Sequence, residues 1–152
     1  KPIPKLPVNP EMKSAVQSFL DWAKKNKVKF KATEKKIYSK KWNYAGTLDA
    51  VATVNGKVAI IDFKTGKAVY PEMFLQTAAY QAAFEEELGK KINKNLVLRL
   101  WKENKQEGIE PFEILETQDF ARNFKTFLAA KAIYEWQCET KKVALIKKIN
   151  GK

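Results

Sequence analysis

The sequence has no histidine and only one cysteine, Cys138, and both shortages limit the chemistry open to the chain. A single cysteine cannot form a disulfide within the chain. Without histidine, the chain cannot build a zinc site of the histidine–cysteine type, and one thiol is too few for an iron–sulfur site. Any bound metal must therefore be held by oxygen ligands, which favour magnesium, manganese or calcium.

Long apolar runs are missing as well, since no stretch approaches the ~20 consecutive apolar residues that cross a bilayer. The first residues, Lys-Pro-Ile-Pro, also lack the apolar stretch of a signal peptide. We therefore expect a cytoplasmic protein with no membrane partner. The 152 residues are 45% hydrophobic and 30% charged, with few glycines and prolines, and this composition predicts one globular domain over residues 1–152.

The charge is strongly unbalanced, with 29 basic against 17 acidic residues and a formal net charge of +12. Nearly all the basic residues are lysines. Lysine binds phosphate as a point charge whereas the arginine fork reads guanine edges, so this surplus favours a polyanion held through its backbone. The alternative is that the lysines reflect solubility and the base composition of a genome. Taken alone, the charge does not decide between the two.

The start of the chain predicts a helix followed by a strand. Asn9-Pro10-Glu11 is typical of a helix start, and the next apolar residues recur at helical spacing to about Lys25. From Val28 apolar and polar residues alternate, which predicts a half-buried strand. Continued alternation would place Glu34 on the apolar side, where an unpaired carboxylate needs a partner. Alternatively, the strand has ended or bulged and Glu34 is solvated.

The middle of the chain predicts a hairpin and a helix. Two β-rich runs, Thr47–Val54 and Lys57–Lys64, are separated only by Asn55-Gly56, a dipeptide typical of two-residue hairpin turns. Residues 71–88 then have the proline and acidic start of a helix, and Gly89 is suited to end it.

Two further strands and a long helix complete the pattern. The runs Asn95–Trp101 and Ile109–Leu115 flank a polar turn at Glu103–Gly108, and Pro111 confines the second run to a sheet edge. Thr117 is the expected cap of the last helix. The predicted order is α-β-β-β-α-β-β-α, which indicates an α/β protein of the α+β type with a mixed sheet flanked by helices.

The hairpin register brings two carboxylates together. If Val54 faces Lys57 across the turn, Asp49 lies opposite Asp62, and Lys64 points to the same face. Opposed carboxylates repel each other and destabilise the hairpin unless a cation neutralises them. A divalent metal would use both acids. Lys64 alone could instead serve as the counter-ion, and a bulge near the strand ends would shift the register.

These residues resemble the PD-(D/E)XK nuclease superfamily, specifically its RecB-like exonuclease branch. The resemblance covers about Val28 to Leu88 and depends on an ordered series rather than on one triplet. The matching segments are Gly46-Thr47-Leu48-Asp49, Ile61-Asp62-Phe63-Lys64-Thr65-Gly66, and Gln76 with Tyr80. The family core is αβββαβ, which agrees with the predicted order and implies a restriction-endonuclease-like fold.

The resemblance implies a role for each matching residue. Asp49 and Asp62 would be catalytic ligands of Mg²⁺ or Mn²⁺, with the backbone carbonyl of Phe63 as a third ligand. Lys64 would position or activate the attacking water. Four further positions are implied less directly: Glu34 matches the upstream acid of the catalytic group, and the substrate-binding positions are Thr65, Gln76 and Tyr80.

The implied activity is a metal-dependent deoxyribonuclease, with exonuclease action, for DNA repair, recombination or phage DNA processing. Its partner would be single- or double-stranded DNA, in a larger repair or replication assembly. One departure from the family is that many members carry a histidine metal ligand on a helix before the core. Its absence leaves open a catalytically degenerate, non-sequence-specific DNA-binding module of the same fold. A plain interaction domain with lysines for solubility is a third alternative.

Overall fold

A computed structural model of the chain describes residues 13–101, 112–117 and 119–150, with side chains as far as residue 143. The predicted order α-β-β-β-α-β-β-α is confirmed. The elements are α1 (Lys13–Lys25), β1 (Lys29–Ser39), β2 (Tyr44–Val54), β3 (Lys57–Lys64), α2 (Glu72–Leu88), β4 (Lys94–Leu100), β5 (Phe112–Thr117) and α3 (Phe120–Asn150).

The strands form one mixed sheet in the order β1-β2-β3-β4-β5. Neighbours are antiparallel except β3 and β4, which are parallel because α2 crosses over between them. The predicted mixed sheet with flanking helices is therefore confirmed. β5 lies at the edge of the sheet, as expected. Three other predictions fall outside the described residues: the start of this strand at Ile109, the turn at Glu103–Gly108, and the helix start at Asn9-Pro10-Glu11.

The β2–β3 hairpin has the predicted two-residue turn. Asn55 and Gly56 both have positive φ, 49° and 82°, as a turn of type I′ requires. Val54 faces Lys57, and the same register continues to Ala50 opposite Ile61. The hairpin therefore delivers Asp49 and Asp62 to the end of its ladder together.

The two faces of the sheet carry separate cores, and this alternation directs the residues at the end of β3. Ile61 packs with Phe19 of α1, whereas Ile60 packs with Ala83 and Phe84 of α2. Both isoleucines are fully buried, which stabilises the fold by about 1.5–3 kcal/mol for each side chain. Continued alternation places Phe63 on the α1 face and Asp62 and Lys64 on the α2 face.

Strand β1 differs from the expectation for Glu34. The register slips between Phe30 and Ala32, so that Phe30 contacts Phe19 on the α1 face while Ala32 packs in the core under α2. Two-residue alternation from Ala32 would still turn Glu34 toward the core under α2, so the slip alone does not explain the position of Glu34. Glu34 is instead exposed, with a positive φ of 48°, and the strand continues to Ser39. The bulged and solvated alternative is therefore the correct one.

The cap of α3 also differs from the prediction. Thr117 is the last residue of β5, and Asp119 caps the helix by accepting a hydrogen bond from the Arg122 amide at 3.2 Å. Thr117 assists, because its hydroxyl accepts from the Asn123 side chain at 3.1 Å. None of the described helices has both the length and the apolar character needed to span a membrane.

Candidate active site

Asp62 is a buried carboxylate at the carboxyl end of β3. It is 1% exposed, and its Oδ2 lies 2.7 Å from the Lys64 ammonium. This contact has the distance of an ion pair but not hydrogen-bond geometry, so Oδ2 has no hydrogen-bond donor among the described residues. Burial raises the pKa of Asp62, the Lys64 ion pair opposes this shift, and the charge of Asp49 adds to it. The ionised form of Asp62 is therefore under-stabilised by the protein alone.

Asp49 lies one position beyond the last ladder pair, Ala50 with Ile61. Its Oδ2 accepts a hydrogen bond from the backbone amide of Phe63 at 2.8 Å. A side-chain oxygen of β2 thus bonds an amide of β3 just past the point where the paired ladder ends. This bond fixes the Asp49 carboxylate next to Asp62, as the hairpin register predicted.

Lys64 joins the carboxylates to helix α2. Its ammonium donates to Gln76 Oε1 at 3.0 Å, and Gln76 Nε2 donates to Tyr80 Oη at 2.7 Å. Gln76 and Tyr80 are four residues apart, so they lie on one face of α2, which packs over this part of the sheet. The structure therefore brings together Asp49, Asp62, Lys64, Gln76 and Tyr80 in one cluster.

The Tyr80 hydroxyl keeps its proton in this cluster. Burial raises the pKa of Tyr80, the hydrogen bond from Gln76 opposes this shift, and the carboxylates of Asp62 and Asp49 raise the pKa further. Because the oxygen already accepts from Gln76, its own O–H is directed elsewhere. Tyr80 is thus a neutral hydrogen-bond donor at the edge of an acidic centre.

Two predicted site residues lie outside the hydrogen-bonded cluster. Thr65 is exposed immediately after β3 and makes no side-chain hydrogen bond with another described residue. Glu34 is exposed on β1, between the pairs Thr33 with Ala50 and Lys35 with Leu48. That register places Glu34 beside Asp49 along the sheet, although its side chain is solvated.

A glycine is needed at position 46 for a packing reason that the sequence did not reveal. A Cβ atom at this position would lie 2.8 Å from Tyr80 Cε1, closer than real Cβ atoms approach other atoms. The glycine at the start of the Gly-Thr-Leu-Asp segment therefore makes room for the tyrosine ring above β2. The sequence shows how far apart the Gly-Thr-Leu-Asp segment and the Gln76–Tyr80 pair lie along the chain, but it does not show that Gly46 contacts Tyr80.

Arg99 was missed entirely by the sequence analysis. It is paired with Lys64 across the parallel β3–β4 ladder and is 8% exposed. The available signal was a single arginine directly after the apolar run Leu96–Leu98, in a chain whose basic residues are nearly all lysines. A buried arginine requires partners, which pointed to a local polar contact.

The residues present fit a divalent cation. Asp49 and Asp62 supply adjacent carboxylates, and the buried Oδ2 of Asp62 lacks a hydrogen-bond donor among the described residues. Within those residues, no three acidic, histidine or cysteine side chains lie close enough to hold a metal together. Two carboxylates still suit Mg²⁺, which keeps several waters and binds proteins through one or two carboxylates.

Comparison with known proteins agrees with this chemistry. A sequence model described as the PD-(D/E)XK nuclease superfamily matches residues 9–145. Two solved structures are remotely similar. One is a protein from Eubacterium rectale described as a candidate exonuclease, with 14% sequence identity and a TM-score of 0.47. The other is the protein SSO0001, with 17% sequence identity and a TM-score of 0.41. These similarities cover 89% and 82% of this chain, which spans only 49% and 62% of the two proteins, respectively. No curated protein matches the chain.

Proposed function

Because the chain belongs to the PD-(D/E)XK nuclease superfamily, we propose that it hydrolyses phosphodiester bonds in DNA with Mg²⁺ or Mn²⁺. The observation that carries this proposal is the environment of Asp62. Its side chain is 2% exposed and adjacent to Asp49, and among the described residues one ammonium group, that of Lys64, opposes its charge. A buried carboxylate beside a second, partly buried carboxylate requires additional positive charge.

Asp49 and Asp62 are the proposed metal ligands, together with the backbone carbonyl of Phe63. The Phe63 amide holds one oxygen of Asp49 at 2.8 Å, which orients the carboxylate before any ligand arrives. Oδ2 of Asp62 is buried, and its polar contact within the described residues is the Lys64 ammonium at 2.7 Å, so a metal ion would add the positive charge that the two carboxylates still require. When bound, the metal supplies a Lewis acid for the phosphate and lowers the pKa of a bound water.

Lys64 is the proposed catalytic lysine. Its ammonium is held between Asp62 Oδ2 at 2.7 Å and Gln76 Oε1 at 3.0 Å. This position lets it orient the attacking water or stabilise the negative charge that develops on the phosphate. Because two partners fix the long side chain, little reorganisation is needed when the reaction proceeds.

Gln76 and Tyr80 are proposed to orient the substrate side of the centre. Gln76 accepts from Lys64 and donates to Tyr80, so one side chain fixes both neighbours. The neutral Tyr80 hydroxyl is then available to donate a hydrogen bond to a phosphate oxygen. Exposed Thr65 is a further proposed substrate contact, and Glu34 a proposed additional acid beside Asp49.

The mode of cleavage and the pathway are proposed from the motif series. The Gly-Thr-Leu-Asp, Asp-Phe-Lys-Thr-Gly and Gln76–Tyr80 order resembles the RecB-like branch, which implies exonuclease action in repair, recombination or phage DNA processing. The net charge of +12 supports a polyanionic, largely sequence-independent partner. A larger repair or replication assembly is proposed on the same basis.

The test is cleavage of end-labelled single- and double-stranded DNA in Mg²⁺, Mn²⁺ or EDTA. Asp62→Asn should abolish metal-dependent cleavage, because it removes a proposed ligand. The matched control is Asp21→Asn, an identical change at an exposed residue of α1 that should leave cleavage unchanged. The ladder of products distinguishes exonuclease from endonuclease action. Equal cleavage by the two variants would refute the assignment of Asp62.

A second candidate is a DNA-binding module of the same fold that does not cleave. It is favoured by the presence of only two acidic ligands at the centre, with no third such side chain close enough among the described residues. In that case the purified chain would bind DNA in a salt-sensitive manner and leave it intact in both metals.

A further inference from the structure

Arg99 ties the segment after β3 to the sheet. Its Nη1 donates to the carbonyl of Lys67 at 2.6 Å and to that of Gly66 at 3.4 Å. Its Nε donates to Glu113 of β5 at 2.8 Å, and the guanidinium lies 4.4 Å from the centroid of the Trp101 ring. The side chain is only 9% exposed, so these contacts hold it from several sides. A planar fork with several donors is suited to such a clamp.

The clamp orients two consecutive peptide groups. A trans peptide is planar, and its C=O and N–H bonds point in opposite directions. No peptide bond in the described residues is cis. Because the carbonyls of Gly66 and Lys67 both face Arg99, the next amides, those of Lys67 and Ala68, both face away from it.

These two amides are available to a ligand. Neither has a hydrogen-bond acceptor within the part of the chain that the structure describes. Gly66 and Lys67 are exposed, so the outward side of the segment is open to solvent. Residues 66–68 form a bend, and successive amides presented by a turn form a concave donor site for anions, to which the side chain of Lys67 adds positive charge.

We infer that the amides of Lys67 and Ala68, oriented by Arg99, form a phosphate-binding site for the nucleic-acid backbone. The nature of the ligand rests on the proposed function. The site begins three residues after Lys64, on the segment that continues from the catalytic strand. The site therefore binds a backbone phosphate close to the phosphate that is cleaved. This contact holds the nucleic-acid strand in register with the reacting centre, as contacts from backbone amides to phosphates do in other proteins.

The site is tested by binding without cleavage. Amide ¹H–¹⁵N spectra of the labelled protein are recorded in EDTA while a short oligothymidylate is added. The amides of Lys67 and Ala68 should shift on addition. In Arg99→Met these shifts should be lost, because the peptide groups are no longer held.

Matched variants separate this site from general stability. Lys94→Met breaks a second ion pair between β4 and β5, Lys94 with Glu116 at 2.6 Å, and should keep the shifts. Lys67→Ala should lower the slope of log Kd against log salt by about 0.7, the value for one contact to a single strand. If Arg99→Met does not fold, the wild-type shifts and the Lys67→Ala slope still decide the matter.

Two results would overturn the site: unshifted Lys67 and Ala68 amides in the wild type, or equal shifts in folded Arg99→Met. Failure of the site and failure of the proposed nuclease are distinguishable. Cleavage in Mg²⁺ without these shifts in EDTA removes the phosphate site and leaves the nuclease. Shifts without cleavage in either metal keep the site and remove the proposed catalysis.

Discussion

Gly46→Ala is the change that most directly tests how the site is packed. The new methyl carbon would lie 2.8 Å from Tyr80 Cε1, so the ring or the strand must move. The backbone itself permits alanine, because Gly46 is not among the described residues with positive φ. Any loss of stability should therefore come from the contact with the tyrosine ring rather than from backbone strain.

The expected loss is about 2 kcal/mol, within the ~1–3 kcal/mol observed when a methyl group is forced into a packed site. Tyr80 cannot swing away freely, because Gln76 donates to its hydroxyl at 2.7 Å. In a Tyr80→Ala background the ring is absent and the methyl group fits. There the same change should be neutral, or stabilising by ~0.5–1 kcal/mol, because alanine is favoured over glycine within a strand.

The assay is a double-mutant cycle measured by denaturant unfolding in EDTA. The coupling between positions 46 and 80 should be about 2–3 kcal/mol, well above the ~0.5 kcal/mol within which the effects of distant sites add. The control is Gly66→Ala, where the added Cβ meets only the Ala68 carbonyl at 3.9 Å and should not destabilise. Additive effects at Gly46 and Tyr80, or equal losses at Gly46 and Gly66, would refute the packing argument.

Three further predictions concern charge. Lys64→Ala should lower kcat on labelled DNA by about 10²–10³-fold, as the loss of one transition-state donor does. The control is Lys57→Ala, at an exposed residue at the other end of β3, which should leave kcat unchanged. Similar values of kcat for the two variants would count against a catalytic role of Lys64. Burial raises the pKa of the Asp62 carboxyl in the folded protein. The protonated carboxyl therefore stabilises the fold fully at pH values below its pKa in the unfolded chain, and this stabilisation is lost as the pH rises through its higher pKa in the folded protein. At neutral pH in EDTA, Asp62→Asn should therefore unfold at a higher temperature than the wild type, and a lower Tm would contradict this. Glu86 of α2 accepts hydrogen bonds from the Ser39 hydroxyl and from the Lys41 and Lys40 amides in the turn between β1 and β2, and these bonds lower its pKa. Glu86 therefore stabilises that turn at pH values above its pKa in the unfolded chain, and the stabilisation is lost as the pH falls through its lower pKa in the folded protein. Exchange protection of the Lys40 amide should fall on acidification in the wild type but not in Glu86→Gln, and identical pH dependence would exclude Glu86 as the cause.

The sequence predicted the parts of the site that depend on local spacing. The Asn55-Gly56 turn set the hairpin register, and that register brought Asp49 and Asp62 to the same end of the ladder. Helical spacing placed Gln76 and Tyr80 on one face, where the structure joins them by a hydrogen bond. In each case a short-range rule, two residues for a turn or four for a helix, determines which side chains meet.

The errors occurred where a neighbouring element overrides such a rule. Alternation in β1 placed Glu34 on the apolar side unless the strand ended or bulged, and in the structure Glu34 is exposed with a positive φ of 48°. A bulge depends on how both faces of the sheet are covered, which alternation within one strand does not contain. Thr117 was expected to cap α3, but it remains paired in β5 opposite Asn95, so the cap passes to Asp119.

The contacts that the sequence could not predict at all are the ones that support the catalytic strand from outside. Arg99 reaches the Lys67 carbonyl across 32 residues, and Gly46 is explained only by the ring of Tyr80 on a helix two elements later. Both act on the immediate surroundings of Asp62 and Lys64: one fixes the chain that leaves β3, and the other seats the helix that holds Gln76. A motif search finds the reacting groups because their spacing is local, whereas their positioning depends on long-range contacts. Substitutions at Gly46 or Arg99 should therefore disturb the site while leaving every motif residue in place.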